Sequence, residues 1–283
     1  MNFEQFSETI NIINEAIANT LSKSNSINLD ILFDSMKYSA LNGGKRVRPL
    51  LMMLLAKAYG LQDMQILHFA VGLELIHTYS LVHDDLPAMD DDIVRRGKPT
   101  NHVIYGEAMA ILSGDGLLTM AVNHISEELV KHENIKESVD ALKLLTHHAG
   151  ALGMVGGQAI DVLHENKSLN KELLEEMIDL KTVALFRAAC VIPGIIAMQN
   201  EEEISKLDDF AIALGRSFQI QDDILDFLED KATGKPTYAT ILGVEEAANM
   251  AMEMSQKALC MLRDKPEFEN VVTLTSMLIG RSY

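Results

Sequence analysis

The chain has 283 residues, of which 24 are lysine or arginine and 41 are aspartate or glutamate, so its formal net charge is −17. This acidity argues against a nucleic-acid-binding protein, because phosphate backbones are bound by clustered lysines and arginines. The apolar fraction of 48% is enough for a sizeable core and excludes disorder over most of the chain. Only two cysteines occur, Cys190 and Cys260, which rules out a disulfide framework and fits a reducing compartment.

The amino terminus and the apolar runs predict a cytoplasmic protein. The first residues carry acidic side chains and lack the apolar stretch of a signal peptide. The longest apolar runs are interrupted well before the roughly 18 residues that a membrane-spanning helix needs. We therefore expect neither a signal peptide nor a membrane span.

Helical periodicity of apolar residues runs through nearly the whole chain. It predicts helices at 4–21, 31–42, 49–59, 64–84, 105–128, 136–149, 171–190, 201–229, 245–263 and 268–280. The breaks between them are short, such as Gly43-Gly44, the Pro87 region and Gly156-Gly157, and no alternating strand pattern is present. The fold class predicted is all-α, with residues 1–283 forming a single domain of about ten or more helices.

The first acidic cluster follows the long apolar helix 64–84. Asp84 and Asp85 are followed, after Leu-Pro-Ala-Met, by three further aspartates that begin at Asp90. Pro87 is expected to interrupt the helix, because proline cannot continue the hydrogen-bond ladder. On an unbroken helix Asp90 would point about 120° away from Asp84, so the break is expected to bring it back.

The second acidic cluster, Asp222-Asp223-Ile-Leu-Asp226, lies in another apolar helix, and its first and last members share one helix face. Two carboxylates about 4 Å apart repel by about 4 kcal/mol at an effective dielectric near 20, so a buried acidic face needs cations. Either cluster alone is also compatible with a solvated acidic surface. Two such clusters on apolar helices favour a site for Mg²⁺ or Ca²⁺, which prefer oxygen ligands.

Basic residues stand close to the acids in a chain that has few of them. Three cations occupy the segment Lys45-Arg46-Val-Arg48, and Arg95-Arg96 follow the first acidic cluster directly. Lys181 lies in a predicted helix, and Lys235 follows the second cluster. Each cation alone is compatible with a surface charge. Together they indicate a diphosphate ester, because metals take some of its oxygens and cations take the others.

Five segments of the chain resemble, in order, the motif series of the trans-isoprenyl diphosphate synthases (trans-prenyltransferases). They are GGKRVRP, LIHTYSLVHDDLPAMDDDIVRRGKPTNH, GGQAID, KTVALF and FQIQDDILD. The similarity runs from about residue 43 to residue 243, and it is greatest to bacterial members that form farnesyl diphosphate. The resemblance implies an all-α fold around a deep central cavity, three Mg²⁺ ions per site and a homodimer. It also implies condensation of isopentenyl diphosphate with dimethylallyl or geranyl diphosphate.

The resemblance also implies a role for each matching residue. Asp84, Asp90 and Asp222 match metal ligands, and Asp85, Asp223 and Asp226 match ligands through water or their supports. Arg95, Lys181 and Lys235 match cations on the departing diphosphate, and Thr182 and Gln219 match oxygens that face the carbon becoming cationic. Lys45, Arg48, His77 and Arg96 match the isopentenyl diphosphate pocket, whereas His83 has no matching role and is interpreted as structural.

Product length is expected to depend on Tyr79. It lies five residues before Asp84, about 7.5 Å along a helix, in the direction in which the product tail grows. An aromatic ring there, with four residues between the Asp pair and Asp90, resembles the farnesyl-forming pattern.

Two departures from the family pattern stand out. The segment after Asp226 is shortened, so that Lys235 matches either of two family lysines, and Val183 stands where glycine or alanine is common. Three alternatives stay open: a geranyl or geranylgeranyl diphosphate synthase, a terpene cyclase, and a non-catalytic partner subunit. A cyclase binds only one diphosphate and gives no reason for GGKRVRP, whereas the shortened lysine segment weakly favours the non-catalytic subunit.

Overall fold

A computed structural model describes residues 3–22, 27–131, 134–164 and 169–280. Nearly all of this described part is helical, as the periodicity predicts. The α-helices are α1 Ser7–Thr20, α2 Asp30–Leu41, α3 Val47–Ala58, α4 Asp63–Asp84, α5 Asn101–Tyr105, α6 Glu107–Leu129, α7 Ile135–Ala149, α8 Met154–Leu163, α9 Lys171–Ile178, α10 Ala184–Ile196, α11 Glu201–Leu225, α12 Phe227–Thr233, α13 Tyr238–Leu242, α14 Val244–Leu262 and α15 Glu269–Ile279. A π-helical turn, Asp179–Val183, joins α9 to α10, and a hairpin of β1 Val94–Arg95 and β2 Lys98–Pro99 follows α4.

The helices form two compact units. The amino-terminal unit contains Asn2–Met53 and Gln62–Leu142, and the carboxy-terminal unit contains Leu54–Leu61 and Lys143–Tyr283. The all-α class is confirmed, and the single-domain organisation stays a prediction. In the described part of the chain no helix combines the length and hydrophobicity needed to cross a bilayer.

The amino-terminal unit is built around α4, which is apolar on all sides and packs most extensively against α6. A buried ion pair fixes the basic segment to this helix: Arg46 donates to Glu74 at 2.6 Å, and the two side chains are only 2% and 3% exposed. Arg46 also donates to the carbonyl of Ala40 and the amide oxygen of Asn14. The middle cation of the basic segment is therefore structural and anchors the turn that carries Lys45.

The carboxy-terminal unit is built around α11, which packs against α10 and α14. The predicted helix 201–229 is wrong at its end, because the α-helix stops at Leu225 and α12 begins at Phe227. The expected break at Gly156-Gly157 is also wrong. Both glycines lie inside α8, and Gly157 allows this helix to pack closely against the backbone of Lys181.

His148 in the carboxy-terminal unit makes folding stability depend on pH. Its side chain is 5% exposed, and burial, with the positive charges of Arg187 and His147, lowers its pKa to about 4, against a weaker opposing effect of Asp208. In the unfolded chain His148 takes up a proton near pH 6.5, whereas in the folded chain it stays neutral until about pH 4. The contribution of His148 to the free energy of unfolding is therefore fully present above about pH 6.5, and up to about 3 kcal/mol of it is lost towards pH 4.

We expect His148→Gln to flatten this dependence between pH 7 and pH 4.5, as measured by urea unfolding at each pH. His147→Gln is the matched control, because His147 is exposed and contributes less than burial to the lowered pKa of His148, so most of the slope should remain. Equal slopes in the parent and His148→Gln would contradict the prediction.

Candidate active site

The first acidic cluster forms a tight turn at the end of α4. The helix ends at Asp84, and the amide of Asp90 then donates to the carbonyl of Asp84 at 2.9 Å. The amides of Met89 and Asp91 both donate to the carbonyl of Leu86, which closes the turn. The break therefore brings the backbone of Asp90 back to Asp84, as Pro87 leads one to expect.

Asp85 lies within this turn and holds Arg95. Its carboxylate, on a residue only 4% exposed, accepts from Arg95 Nε at 2.5 Å, and the same guanidinium reaches Asp92 Oδ2 at 3.1 Å. Burial raises the pKa of Asp85, and the charge of Arg95 opposes that rise. Asp85 thus fixes the position of Arg95, which the family resemblance matches to a cation on the departing diphosphate.

Arg95 and Arg96 are presented by a hairpin that the sequence did not predict. Arg96 and Gly97 form its turn with φ of 54° and 74°, the type I′ geometry that suits a two-residue connection. The Tyr38 hydroxyl donates to the carbonyl of Pro99 at 2.6 Å and ties the hairpin to α2. Two-residue strands are too short to give a periodic pattern, so only the Arg-Gly turn was a usable signal.

The residues predicted to bind isopentenyl diphosphate all belong to the amino-terminal unit. Burial lowers the pKa of His77 well below its usual value, and the charges of Arg48 and Arg96 lower it further. Arg96 donates to the carbonyl of Gly43 at 2.8 Å, at the start of the segment that carries exposed Lys45. A neutral imidazole among guanidinium groups suits a multiply charged anion.

Gly44 leaves the space that Arg96 occupies. A Cβ on Gly44 would lie 2.7 Å from Arg96 Nη1, and its φ of +108° is unfavourable for other residues. We expect Gly44→Ala to push the guanidinium aside and raise the KM for isopentenyl diphosphate about tenfold, with a smaller change in kcat. Steady-state kinetics with each substrate varied in turn measures this.

The matched control is Gly60→Ala, which also adds a Cβ at a positive φ, +77°, but in open space and beyond the far end of α3 from Gly44. If both variants raise that KM equally, the effect comes from the backbone and not from Arg96.

Tyr79 and His83 lie one turn apart on α4. Tyr79 is buried and packs edge-on against the His83 ring at 5.8 Å between centroids, and burial followed by the charge of Asp84 raises its pKa. His83 Nε2 is 3.1 Å from the carbonyl oxygen of Ile111 on α6. That contact supports the structural interpretation of His83.

In the carboxy-terminal unit, Lys181 and Thr182 lie in the π-helical turn. Such turns insert one residue into a helix and often occur at functional sites. Gly157 of α8 explains the close packing here, because a Cβ on it would lie 2.2 Å from the backbone nitrogen of Lys181. Asp161, one turn further along α8, accepts from Lys181 Nζ at 2.5 Å. Helix α8 therefore holds this turn through both backbone and charge.

A chain of hydrogen bonds links the π turn to the second acidic cluster. The Thr182 hydroxyl donates to Gln219 Oε1 at 2.9 Å, and Gln219 Nε2 donates to Asp223 Oδ1 at 2.8 Å. The other oxygen of Asp223 accepts from the amide of Tyr238 at 2.9 Å. Burial raises the pKa of Asp223 to about 6, and these two hydrogen bonds oppose the rise.

The second acidic cluster presents its carboxylates differently from the prediction of a buried Asp222 and Asp226 face. Asp223 is the buried member, 4% exposed, whereas Asp222 is half-buried and Asp226 is exposed. The reason is that α11 turns Asp223 towards α13, where the amide of Tyr238 meets it. Asp223 thus orients Gln219, and Asp222 and Asp226 are the members accessible to a ligand.

Lys235 lies beyond α12 on an exposed turn. Its amide donates to the carbonyl of Asp230 at 2.9 Å, and the amide of Asp230 donates to the carbonyl of Asp226 in the second acidic cluster. Val183, the other departure from the family pattern, is fully buried. Its methyl groups would be 3.2 Å from a Cβ on Gly215, so a glycine on α11 makes room for valine.

The donor chemistry at both clusters suits a hard cation. No group of three or more carboxylate, imidazole or thiol side chains in the described ranges already has the geometry to hold a metal ion. Mg²⁺ commonly binds through one or two carboxylates, substrate phosphates and water, so Asp84 with Asp90, or Asp222 with Asp226, fits that mode.

Some contacts of the candidate site leave no signal in the sequence. The Asp161–Lys181 pair spans 20 residues, and no spacing rule connects them. GGQAID was recognised only as a motif, although its Gly157 and Asp161 are the residues that touch the π turn.

An all-α fold with aspartate-rich segments, each accompanied by arginine or lysine, is typical of proteins that bind isoprenoid diphosphates. The sequence model of the polyprenyl synthetase family matches residues 29–242, and the chain belongs to this family.

Named relatives lie within the same family. The chain is 42% identical over 234 residues to the farnesyl diphosphate synthase of Bacillus subtilis (strain 168), covering 77% of each protein. It is 37% identical over 265 residues to geranylgeranyl pyrophosphate synthase 4 of Arabidopsis thaliana, covering 88% of this chain and 70% of the relative. The crystal structure of an FPP/GFPP synthase from Zymomonas mobilis superposes with a TM-score of 0.91 at 32% identity, covering 98% of each chain.

Proposed function

We propose that the chain is a farnesyl diphosphate synthase, a prenyltransferase that joins isopentenyl diphosphate to dimethylallyl and then geranyl diphosphate. The observation that carries this proposal is that Asp85, in the turn after α4, holds Arg95, while the adjacent Arg96 donates to the carbonyl of Gly43 at the start of the basic segment. One such region supplies cations for a diphosphate and carboxylates for its metal ions.

The accessible aspartates are proposed to hold Mg²⁺, three ions per site, together with the allylic diphosphate. Asp84 and Asp90 act from the turn after α4, Asp222 and Asp226 act from the end of α11, and Asp85 acts through Arg95. Bound Mg²⁺ supplies positive charge where the leaving diphosphate becomes more negative.

The cations are proposed to divide between the two substrates. Arg95, Lys181 and Lys235 stabilise the diphosphate that leaves. Asp85 and Asp161 hold the first two in fixed positions, which makes their stabilisation effective in the transition state. Lys45, Arg48, His77 and Arg96 hold the diphosphate of isopentenyl diphosphate, which stays intact.

The reaction then balances without a further reactant. The carbon–oxygen bond of the allylic substrate breaks, and its electron pair leaves with the diphosphate. Thr182 and Gln219 present oxygen lone pairs to the allylic cation. The double bond of isopentenyl diphosphate attacks that cation, and the released diphosphate accepts the proton that is lost. Apolar surroundings exclude water that would otherwise capture the cation.

We propose further that the chain works as a homodimer in the cytoplasm. The family resemblance carries the first part, and the two unpaired cysteines, Cys190 and Cys260, suit a reducing compartment. Light scattering coupled to gel filtration tests the dimer directly.

A longer product is the second candidate, because a geranylgeranyl pyrophosphate synthase is among the relatives. The deciding assay combines purified protein, Mg²⁺, isopentenyl diphosphate and geranyl diphosphate, followed by chromatography of the products. Farnesyl diphosphate as the main product supports the proposal, and geranylgeranyl diphosphate supports the second candidate. No product longer than geranyl diphosphate would refute both.

A further inference from the structure

An ion pair between Asp179 and Arg216 joins the π turn to α11. Arg216 Nε donates to Asp179 Oδ1 at 2.8 Å, and Nη2 donates to Oδ2 at 2.5 Å. A bidentate pair of this kind fixes orientation as well as distance, because the two parallel hydrogen bonds align the guanidinium and carboxylate planes.

This ion pair lies next to the hydrogen bond between Thr182 and Gln219. Asp179 stands three residues before Thr182, and Arg216 stands three residues before Gln219. Arg216 and Gln219 are three apart on the α-helix α11 and share its face, and each bonds to a residue of the same five-residue π turn, so the two bonds join the same two elements. The π turn lacks regular α-helical hydrogen bonding, and the ion pair adds a fixed connection between this turn and α11.

We propose that Asp179 and Arg216 are positioning residues for prenyl transfer. They hold the π turn against α11, so that the oxygens of Thr182 and Gln219 stay directed at the reacting carbon. This inference rests on the proposed function, because it acts through the roles given there to Thr182 and Gln219.

The chain offers a matched control in a second ion pair. Arg187 donates to both oxygens of Asp208 at 2.6 and 2.8 Å, it joins α10 to the same helix α11, and its side-chain exposure is similar. Arg187 stands five residues beyond Thr182, and Asp208 stands eight residues before Arg216. Loss of this pair should weaken folding without moving the Thr182 hydroxyl.

The first test compares Arg216→Gln and Asp179→Asn with Arg187→Gln. We expect the first two to lower kcat about tenfold with the KM for isopentenyl diphosphate nearly unchanged, because orientation is lost while binding is kept. They should also release more geraniol from geranyl diphosphate, since a poorly held cation is captured by water. Arg216→Lys should recover part of the lost kcat, and Arg187→Gln should leave kcat and product ratio as in the parent.

The second test repeats Arg216→Gln in a Thr182→Val background. If Arg216 acts through Thr182, Arg216→Gln should lower kcat only slightly further in the Thr182→Val background. An equal fall of kcat in both backgrounds, or a lowered melting temperature with unchanged kcat, would overturn the proposal. Should Arg216→Gln fail to fold by circular dichroism, Asp179→Asn and Arg216→Lys are judged by the same criteria. A parent protein that makes no product would instead refute the proposed function.

Discussion

Asp84→Asn is expected to lower kcat by about a thousandfold while leaving the helix content unchanged, because one carboxylate charge is removed without a change of size. Asp84 ends α4 and its carbonyl receives the amide of Asp90, so the turn itself should persist. The proposed loss lies in Mg²⁺ and diphosphate binding, where the charge of the carboxylate counts. Turnover, circular dichroism and the Mg²⁺ concentration for half-maximal rate measure the three effects.

Asp91→Asn is the matched control for this experiment. Asp91 lies in the same turn, is exposed and has a φ of 53°, a conformation that asparagine adopts readily. It should keep most of the activity. Equal losses in the two variants would show that the total negative charge of the turn is what counts, and full activity of Asp84→Asn would remove the metal assignment.

Tyr79→Ala is expected to change the main product from farnesyl diphosphate to longer chains. Tyr79 is 7% exposed and lies on α4 five residues before Asp84, which is about 7.5 Å along the helix axis. Removal of the ring opens space in the direction in which the product tail is proposed to grow. Chromatography of products made from geranyl diphosphate and excess isopentenyl diphosphate measures the change.

Tyr79→Phe keeps the ring and should keep the product, so it separates the effect of shape from that of the hydroxyl. The alanine variant loses a buried aromatic side chain that also packs on His83, at a cost of about 3 kcal/mol, so its melting curve must accompany the assay. Folded Tyr79→Ala protein that still makes only farnesyl diphosphate would place the limit on chain length at other residues.

The sequence predicts best where a local pattern dictates the structure. Helix α4 was expected at 64–84 and is found at Asp63–Asp84, because its apolar run is long and Pro87 ends it. Helix α8 was missed because Gly156 and Gly157 were interpreted as a break. The second of these glycines is required by the backbone of Lys181, a contact that lies outside any local window.

The candidate site shows the same division. The identities of the aspartates, arginines and lysines followed from motifs, since each motif is contiguous in the chain. Which carboxylate of the second cluster is buried depends on how α11 packs against α13, and the sequence pattern assigned it wrongly. The partners of Lys181 and Arg216 lie 20 and 37 residues away, and periodicity carries no information on them.

If Arg96 binds substrate as proposed, its place at the hairpin turn opposes thermal stability to substrate affinity. A side chain other than glycine at its φ of 54° carries a conformational cost of about 1 kcal/mol, and Arg46 and Asp91 have similar angles. Selection for a higher melting temperature alone would replace Arg96 with glycine and discard its guanidinium. Under the proposed function, Arg96 is therefore a position at which a more thermostable variant of this protein is gained only with a loss of substrate binding.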